Sequence, residues 1–566
     1  MPVSRRGAGV VALLALLAPL VAAVPATAVP LVPEGRSATG GPVTVSVVVP
    51  ITARPGDDGL LDAELLETAT SPAGVLTREL DEVLTTSATI ALDPMITASI
   101  RLLGSAAPGS ALAWLDRLAA APNDVFLLAY SDADLSALAR AGALELALSV
   151  DLDFAIVPSA FGPAETASPA PTATPTPDAT DATDDPPPLP TTDELLSWPD
   201  TLGRVAWPSE GSAVGSDVAA YTAAGFDALL LSSANVSETS SASVDIDGMP
   251  VLVADSAASA LFREASTSVD LAARGQSIAR LGAALDGLAA AHPGRSIVLT
   301  LDRSSGFAFY GLTETYAALA ARDGTRLAGL SELLDAPTGS AQVVDGAASA
   351  ALDRTPALVA ALEEEAAFAT ILEDPALLTA PRRLQLLALL AVSGTSGEDW
   401  PERADAFLAR STELLGSVSI VDTGDLLVAS STPTIPIHVA NGLDFPVTVR
   451  LAVRPQRPRI RIESPVEVTI EPGSSKAVRL EAQAITNGDV VVVVSLSSPS
   501  SGVAIGQSRS FNVDLQAQWE TVGIVVGAGV VLIFAAGIAR NVIVRRRRAA
   551  AERGGDAATA GPGARA

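Results

Sequence analysis

One apolar segment near the end of the chain limits the fold and its surroundings more than any other feature. Residues 522–539 are 18 residues without a charge, and as a helix they reach about 27 Å, close to the roughly 30 Å core of a bilayer. Because Arg540 can snorkel, the predicted transmembrane helix covers 522–544. Arg545 to Arg548 follow, where the positive-inside rule places cations in the cytoplasm. The sequence therefore predicts a single-pass protein of the cell membrane, with an N-terminal ectodomain outside and a basic cytoplasmic tail, 545–566.

The start of the chain has the pattern of a secretory signal. Arg5 and Arg6 precede the apolar run Val10–Leu20, and Ala26-Thr27-Ala28 is a small-x-small cleavage pattern. The apolar run reaches only about 16 Å as a helix, which is too short to cross a bilayer. We therefore expect residues 1–28 to be a signal peptide.

Composition excludes several classes of function. A formal net charge of −28 argues against nucleic acid as a partner. The chain contains no cysteine, so it has neither disulfides nor cysteine-based zinc sites. Its two histidines, His292 and His438, fall in regions with different hydrophobic patterns, so a metal site held by histidines is not expected. No G-x-G-x-x-G follows the first predicted strand and no hydrolase triad is evident, and we expect no cofactor.

The fold class predicted for the chain is α/β followed by all-β. From Pro42 to about Leu414, short aliphatic runs alternate with helical stretches, the pattern of βα units around a parallel sheet. Most of the runs are apolar throughout, as strands buried on both faces should be. We predict a distorted or incomplete (β/α) barrel over 42–414, with an open doubly wound sheet as the alternative. The predicted strands are 43–50, 88–94, 125–132, 146–151, 204–208, 228–233, 250–256 and 297–304.

Two further segments differ from this region in composition and hydrophobic periodicity. Residues 164–190 are rich in Pro, Thr, Ala and Asp without a hydrophobic period, which predicts a disordered insertion within the barrel or, alternatively, a linker between two domains. From 417 to 518 helix signals vanish, and short segments alternate at period two between turn residues. This second pattern predicts an Ig-like β-sandwich without the disulfide.

The order of several short motifs resembles that of a known family. The motifs are VVVPIT, IALDP, RVAWPSEG and VLVADS, followed by IPIHVANGLDFPVTVRLAV and VEVTIEPGSSKAVRL. They resemble the DUF6049 family of uncharacterised actinobacterial envelope proteins. The resemblance implies a secreted, membrane-anchored protein with a barrel-like and an Ig-like domain, commonly encoded beside a lipid II flippase of the MviN type. It supplies neither an established activity nor catalytic residues.

Several predicted strands end in an acidic residue, at the face of a barrel where active sites lie. Two such carboxylates could act as acid and nucleophile on a glycosidic bond. Trp207 and Tyr130 could offer ring surfaces to a sugar, and Glu210 lies close behind Trp207. The alternative is structural, because Asp and Ser at these positions also suit helix starts; Ser131, for instance, is the predicted N-cap of the next helix. The candidate catalytic residues are Asp93, Asp132, Asp255 and Asp302, and the candidate ligand-binding residues are Trp207, Glu210 and Tyr130.

Three functions are compatible with this pattern, and geometry separates them. The leading hypothesis is a non-catalytic envelope protein that binds a cell-wall glycan or a partner such as the flippase. A glycoside hydrolase-like enzyme would place two carboxylates about 5 to 10 Å apart in an open cleft. An adhesin or a purely structural stalk would have a closed barrel mouth and no cleft.

Overall fold

The structure, a computed structural model, describes most of the chain between residues 43 and 555. The described residues are 43–162, 188–199, 202–303, 310–334, 339–346, 349–422, 424, 426–428, 434–486, 488–515 and 519–555. The predicted signal peptide and nearly all of the predicted insertion 164–190 lie outside these residues.

The strands fall into two groups, one before and one after residue 415. The first group is β1 (Val43–Ile51), β2 (Thr89–Leu92), β3 (Val125–Leu127), β4 (Val205–Ala206), β5 (Ala228–Ser232), β6 (Ser243–Ile246), β7 (Met249–Ala254), β8 (Ser296–Thr300), β9 (Thr325–Leu327) and β10 (Gly339–Ser340). The second group is β11 (Val418–Ile420), β12 (Leu426–Val428), β13 (Thr434–Asn441), β14 (Val447–Pro455), β15 (Ile460–Ile462), β16 (Val466–Ile470), β17 (Ser474–Ala484), β18 (Gly488–Ser497) and β19 (Ala504–Leu515).

The α-helices mostly alternate with the first group of strands and then form a continuous helical stretch. Those up to β10 are α1 (Ala63–Thr70), α2 (Val75–Val83), α3 (Pro94–Leu102), α4 (Gly109–Ala119), α5 (Leu135–Arg140), α6 (Glu145–Leu148), α7 (Thr192–Leu196), α8 (Gly215–Ala223), α9 (Ser256–Thr267), α10 (Leu271–Ala291), α11 (Leu312–Ala320) and α12 (Ser331–Leu334). The later ones are α13 (Ala350–Ala369), α14 (Ala376–Leu389), α15 (Val392–Thr395), α16 (Trp400–Leu415) and α17 (Trp519–Gly555).

The main sheet is a curled arrangement of seven parallel strands in the order β4-β5-β7-β8-β1-β2-β3. The last strand of this set, β8, lies beside the first, β1, as in a (β/α) barrel, and the ring is open between β3 and β4. The prediction of a distorted or incomplete barrel is therefore confirmed. Three short strands are added at the margins: β9 pairs with the start of β1, β6 with β7, and β10 with β6.

Seven of the eight predicted strands are present, and one prediction is wrong. Residues 146–151 were expected to form a strand, but Glu145–Leu148 is the short helix α6. The segment is dominated by Ala and Leu, which favour helix, and only Ala147 of its helical residues is buried. A continuous apolar run of this length cannot distinguish a strand from a helix segment.

Both faces of the curled sheet are buried. Every residue of β1 is buried, which explains why this strand has no polar alternation. Side chains from all seven parallel strands meet in one interior cluster, which is covered at one side by Leu330 and Leu333. At the open margin, Leu202 N donates to Val125 O at 2.9 Å. The rings of Phe126 and Trp207 also meet there, with centroids 6.4 Å apart.

Helices α13, α14 and α16 are joined by a buried ion pair. Arg382 Nε and Nη2 donate to the carboxylate of Glu365 at 2.8 to 3.1 Å, and Ser411 on α16 completes the cluster. At the far end of these helices, Phe368 and Ile371 enter the core of the following β region. Thr448 N also donates to Ile371 O at 2.8 Å. The helices therefore connect the curled sheet to the second group of strands.

The second group of strands forms two sheets in a sandwich-like arrangement, β11-β13-β17-β15 and β12-β19-β18-β14-β16. Their pairs are antiparallel except for β12 with β19, which is parallel. In β14 buried and partly exposed residues alternate, as the period-two pattern predicts. After this region α17 contains the stretch Gly523–Ala549, a helix long and apolar enough to cross a membrane.

Candidate functional site

A single guanidinium joins the carboxyl ends of three strands of the curled sheet. Arg303, which follows β8, is 5% exposed. Its Nη1 donates to Asp132 Oδ1 and to Trp207 O, both at 2.7 Å, and its Nη2 donates to Pro208 O at 2.6 Å. The guanidinium also lies over the Trp207 ring, 4.7 Å from its centroid. Because Asp132 follows β3 and Trp207 follows β4, these contacts bridge the opening that the strand pairing leaves.

Two buried carboxyl groups share this guanidinium's surroundings. Asp93 Oδ1 caps α3 by accepting from Met95 N at 2.9 Å, and it also accepts from Ser131 N at 3.0 Å. That second bond holds a turn in which Ser131 and Asp132 have φ of 58° and 48°. The Oδ2 atoms of Asp93 and Asp132 have no hydrogen-bond partner among the described residues. Arg303 is thus the cation bonded to Asp132, and one oxygen of each carboxyl group lacks a hydrogen-bond partner among the described residues.

Burial dominates the titration of both groups. It raises the pKa of Asp93 well above its usual range, an effect that the neighbouring Asp132 strengthens and the two backbone donors oppose. It also raises the pKa of Asp132 to about 7, although Arg303 acts in the opposite direction. At neutral pH this arrangement favours a proton retained on Asp93, whereas Asp132, with a pKa of about 7, is close to half ionised and forms the ion pair with Arg303 in its ionised form.

Two further predicted residues, Tyr130 and Asp255, take part in local structure rather than in the Arg303 cluster. Tyr130 is buried, and its hydroxyl donates to Gly59 O at 3.1 Å. Burial, reinforced by the neighbouring carboxyl groups of Asp93 and Asp58, raises the pKa of Tyr130. Asp255 caps α9 by accepting from Ala258 N at 2.9 Å. These two candidates therefore hold structural positions.

The other predicted residues line one small pocket. Trp207, Glu210 and Asp302, together with Arg303, line a cavity of ≈ 60 Å³. Glu210 Oε2 there accepts from Arg263 Nη1 at 3.1 Å. Sites for small molecules usually measure about 300 to 1,000 Å³. The pocket therefore has room for a few waters and not for a sugar ring.

The helical stretch after the sheet covers this mouth. Asp134 N donates to Leu390 O at 2.8 Å, and Ala133 and Ala391 form an isolated β-bridge. Helix α5 begins at Leu135 with Asp134 as its N-cap, so the prediction of Ser131 as N-cap is wrong. The reason is the bond from Ser131 N to Asp93, which commits the Ser131 backbone to a left-handed turn.

Two features of the site were not apparent in the sequence. One is the position of α14 to α16 over the mouth, because an amphipathic pattern does not show which surface a helix packs against. The other is the partner of Arg303, which lies 171 positions away in Asp132 rather than next to it in Asp302. A signal for Arg303 did exist, since a single arginine lies near the end of the otherwise largely apolar predicted strand 297–304.

With this geometry known, comparisons with known proteins give the family. A family profile described as "Family of unknown function (DUF6049)" matches residues 12–557. The chain belongs to the DUF6049 family. No curated protein matches this DUF6049 chain. Among its described residues, no three His, Asp or Glu side chains form a group that could hold a metal ion.

Distant likenesses to this DUF6049 protein occur among solved structures. WR4, an MSP family member of C. elegans, is 8% identical, with 18% of this chain and 97% of that chain covered and a TM-score of 0.14. Native alpha-2-macroglobulin of Escherichia coli, from domain MG7 to the C-terminus, is 15% identical, with 17% and 16% covered and a TM-score of 0.14. The 4-alpha-glucanotransferase of Thermococcus litoralis is 11% identical, with 80% and 85% covered and a TM-score of 0.39. These values carry no argument about function.

Proposed function

We propose that this DUF6049 protein is a membrane-anchored, extracytoplasmic component of the cell envelope that binds a partner without chemical turnover. The observation that most supports the absence of turnover is the cluster around Arg303. Its guanidinium fills the barrel mouth, where a catalytic cleft would otherwise open. The remaining pocket of ≈ 60 Å³ is too small to hold a substrate of glycan size.

The positions of the aspartates do not favour the glycoside hydrolase alternative. A hydrolase needs two carboxyl groups that face the bond to be broken, with one of them able to supply a proton. Asp93 and Asp255 instead accept bonds from the helices that they cap, and Asp132 is paired with a buried arginine. Asp302 is exposed at the pocket. Asp93 and Asp132 are buried, and the side chain of Asp255 is 16% exposed at the start of its helix.

A groove beside the mouth favours a binding protein over a purely structural stalk. It measures ≈ 890 Å³ and lies between the residues that follow β1 and the helices α14 to α16. A cavity of this size lies within the range of ligand sites, about 300 to 1,000 Å³. As partners we propose cell-wall glycan, its lipid-linked precursor or the flippase that exports this precursor. The membership in DUF6049 and the predicted outward-facing topology support this choice.

The test uses the full chain in lipid nanodiscs. We expect it to bind purified peptidoglycan, lipid-linked precursor or the flippase, and to release no product from either glycan in overnight incubation. The variant Asp302→Asn is the matched control, because Asp302 is the exposed candidate carboxylate. Product formed by the wild type and lost in Asp302→Asn would establish the enzyme. Absence of binding to all three partners would equally contradict the proposal.

A further inference from the structure

The groove beside the barrel mouth has the size and position of a ligand site. Its volume of ≈ 890 Å³ lies within the range of small-molecule and short-peptide sites. Ligands of α/β proteins bind outside the carboxyl ends of parallel strands, and the groove begins at Thr52, directly after β1. Thr52 Oγ1 donates to Arg303 O at 3.4 Å. The groove is therefore the space that the helical cover leaves open beside the closed mouth.

The two walls of the groove are fixed relative to each other. Gly59, between β1 and α1, has a φ of +82°, and a Cβ there would lie 2.7 Å from Leu384 Cβ on α14. The backbone of one wall thus touches the helix of the other so closely that only glycine fits. The hydroxyl of Tyr130 holds the same residue through its carbonyl oxygen. The groove is preformed, which lowers the ordering cost of binding.

Arginines line the helical wall. Arg403 and Arg410 lie two turns apart on one face of α16, about 10 Å along the axis. Arg403 bonds to Gly394 O at 3.1 Å and approaches Asp399 at 3.4 Å. Arg410 and, on the opposite wall, Arg54 are exposed and have no ion-pair partner among the described residues. Guanidinium groups in this state suit carboxylates, with which they form bidentate bonds.

The rest of the lining narrows the class of ligand. Asp57 and Asp58 stand near Arg54, so the groove offers both signs of charge. Leu65 is 47% exposed and gives one wall an apolar surface. The aromatic residue among the lining is Phe407, whose ring is buried under the Arg382 guanidinium at 3.9 Å. An open aromatic face for a sugar ring is therefore missing from the described lining, which favours a peptide over a glycan.

We propose that this groove binds a short extended peptide that carries both carboxylate and ammonium groups. Arg54, Arg403 and Arg410 would receive the carboxylates, Asp57 and Asp58 the ammonium group, and Leu65 an aliphatic side chain. A purely acidic ligand would be repelled by the net charge of −28, whereas a peptide of mixed charge avoids that repulsion. This inference rests on the proposed function and names the ligand class of the same binding protein.

The test measures peptide affinity with the full chain in nanodiscs. The probe is a fluorescent Ala-Glu-Lys-Ala peptide with free carboxylates, compared with the same peptide amidated at both carboxyl groups. We expect the free peptide to bind at least tenfold more tightly, and Arg54→Glu/Arg410→Glu to abolish that difference. Leu65→Ser should weaken binding several-fold. Matched controls are Arg479→Glu, an exposed arginine on β17, and Leu112→Ser, a leucine 45% exposed on α4; neither should change the affinity.

Each outcome decides the matter. Unfolding temperatures equal to that of the wild type will show that the variants fold, because every substituted side chain is at the surface. Equal affinity for free and amidated peptide, or an unchanged affinity in Arg54→Glu/Arg410→Glu, would overturn the groove assignment. If the wild type then still captures glycan or flippase, the proposed function survives without the groove. If it captures neither, the proposed function fails independently.

Discussion

At the scale of single residues, Arg303 provides a contact that strand pairing does not. It joins the ends of β3, β4 and β8, and its charge is matched by Asp132 at 2.7 Å with both side chains about 5% exposed or less. A buried ion pair adds little over an apolar replacement, but removal of one partner leaves a buried charge without compensation. The Arg303 cluster is therefore sensitive to single substitutions.

At pH 8, where Asp132 is mostly ionised, we expect Arg303→Met to lower the free energy of unfolding by about 3 to 5 kcal/mol. Arg326→Met is the matched control, because the pair between Arg326 and Glu332 is half exposed and such pairs contribute about 1 kcal/mol or less. Denaturant unfolding of the full chain in nanodiscs, followed by tryptophan fluorescence, measures both. Equal losses in the two variants would show that Arg303 does not hold the mouth together.

Asp132 predicts a pH dependence whose sign follows from its raised pKa. In the unfolded chain the pKa of this carboxyl group is about 4, whereas in the folded state burial raises its pKa to about 7. Between these values the folded state holds a proton that the unfolded state has released. The contribution of this group to stability is therefore complete below about pH 4 and is lost as the pH rises through 7.

From pH 5 to pH 8, we expect the wild type to lose about 3 kcal/mol more unfolding free energy than Asp132→Asn. The substitution removes the titrating carboxyl group, so it abolishes this part of the slope. Asp286→Asn, at a carboxylate 72% exposed, should retain the wild-type slope. The same denaturation series at several pH values measures this, and identical slopes for wild type and Asp132→Asn would contradict it.

The sequence could predict part of this site and not the rest. N-capping by Asp93 and Asp255 follows from local rules, since an Asp before a helix satisfies free backbone donors whatever the tertiary fold. The pairing of Arg303 with Asp132 depends on the closure of the sheet, and the two residues are 171 positions apart. The burial that raises the pKa of Asp132 arises from that same closure. Local patterns carry no information about it.

At the scale of elements, the helices α13, α14 and α16 depend on one polar cluster in their core. Glu365 is fully buried and Arg382 is 5% exposed, and the guanidinium lies 3.9 Å from the centre of the Phe407 ring. Three donor contacts from Arg382 satisfy the carboxylate. Such a network is stable only when it is complete.

We expect Glu365→Leu to destabilise the protein by about 3 to 5 kcal/mol, because it leaves Arg382 buried without a partner. The double variant Glu365→Leu/Arg382→Met should recover most of this loss, since both charges are then gone. Arg354→Met tests the exposed pair between the same helices α13 and α16 and should cost about 1 kcal/mol or less. Thermal unfolding of the three variants measures the order of their stabilities. A double variant less stable than Glu365→Leu would contradict the interpretation.

Element type was predictable where the hydrophobic run was long or its period clear. The continuous apolar runs such as 43–50 became buried parallel strands, and the alternation of 447–455 became a half-buried strand. The prediction of a strand at 146–151 is wrong because Ala and Leu favour helix and because an apolar run of this length fits either a strand or a helix. The two-residue strand β4 shows the remaining difficulty, because its strand character depends on its neighbour β5.

At the scale of the whole molecule, the chain places a curled sheet, a helical cover and a sandwich-like β region before one apolar helix. The basic residues Arg545 to Arg548 continue this helix, which ends at Gly555. With its apolar part in a bilayer, the side carrying these arginines is expected in the cytoplasm. The groove and the Arg303 cluster would then face the cell wall.

The absence of cysteine from the sequence makes this orientation directly testable, because any introduced thiol is the only one. Ser475→Cys places a thiol at an exposed position of β17, and Ala551→Cys places one after the arginine cluster. In intact cells a membrane-impermeant maleimide should label Ser475→Cys and spare Ala551→Cys, and after permeabilisation it should label both. The wild type, which lacks a thiol, controls for background. The reverse pattern would place the groove in the cytoplasm, where cell-wall material cannot reach it, and would contradict both the topology and the proposed function.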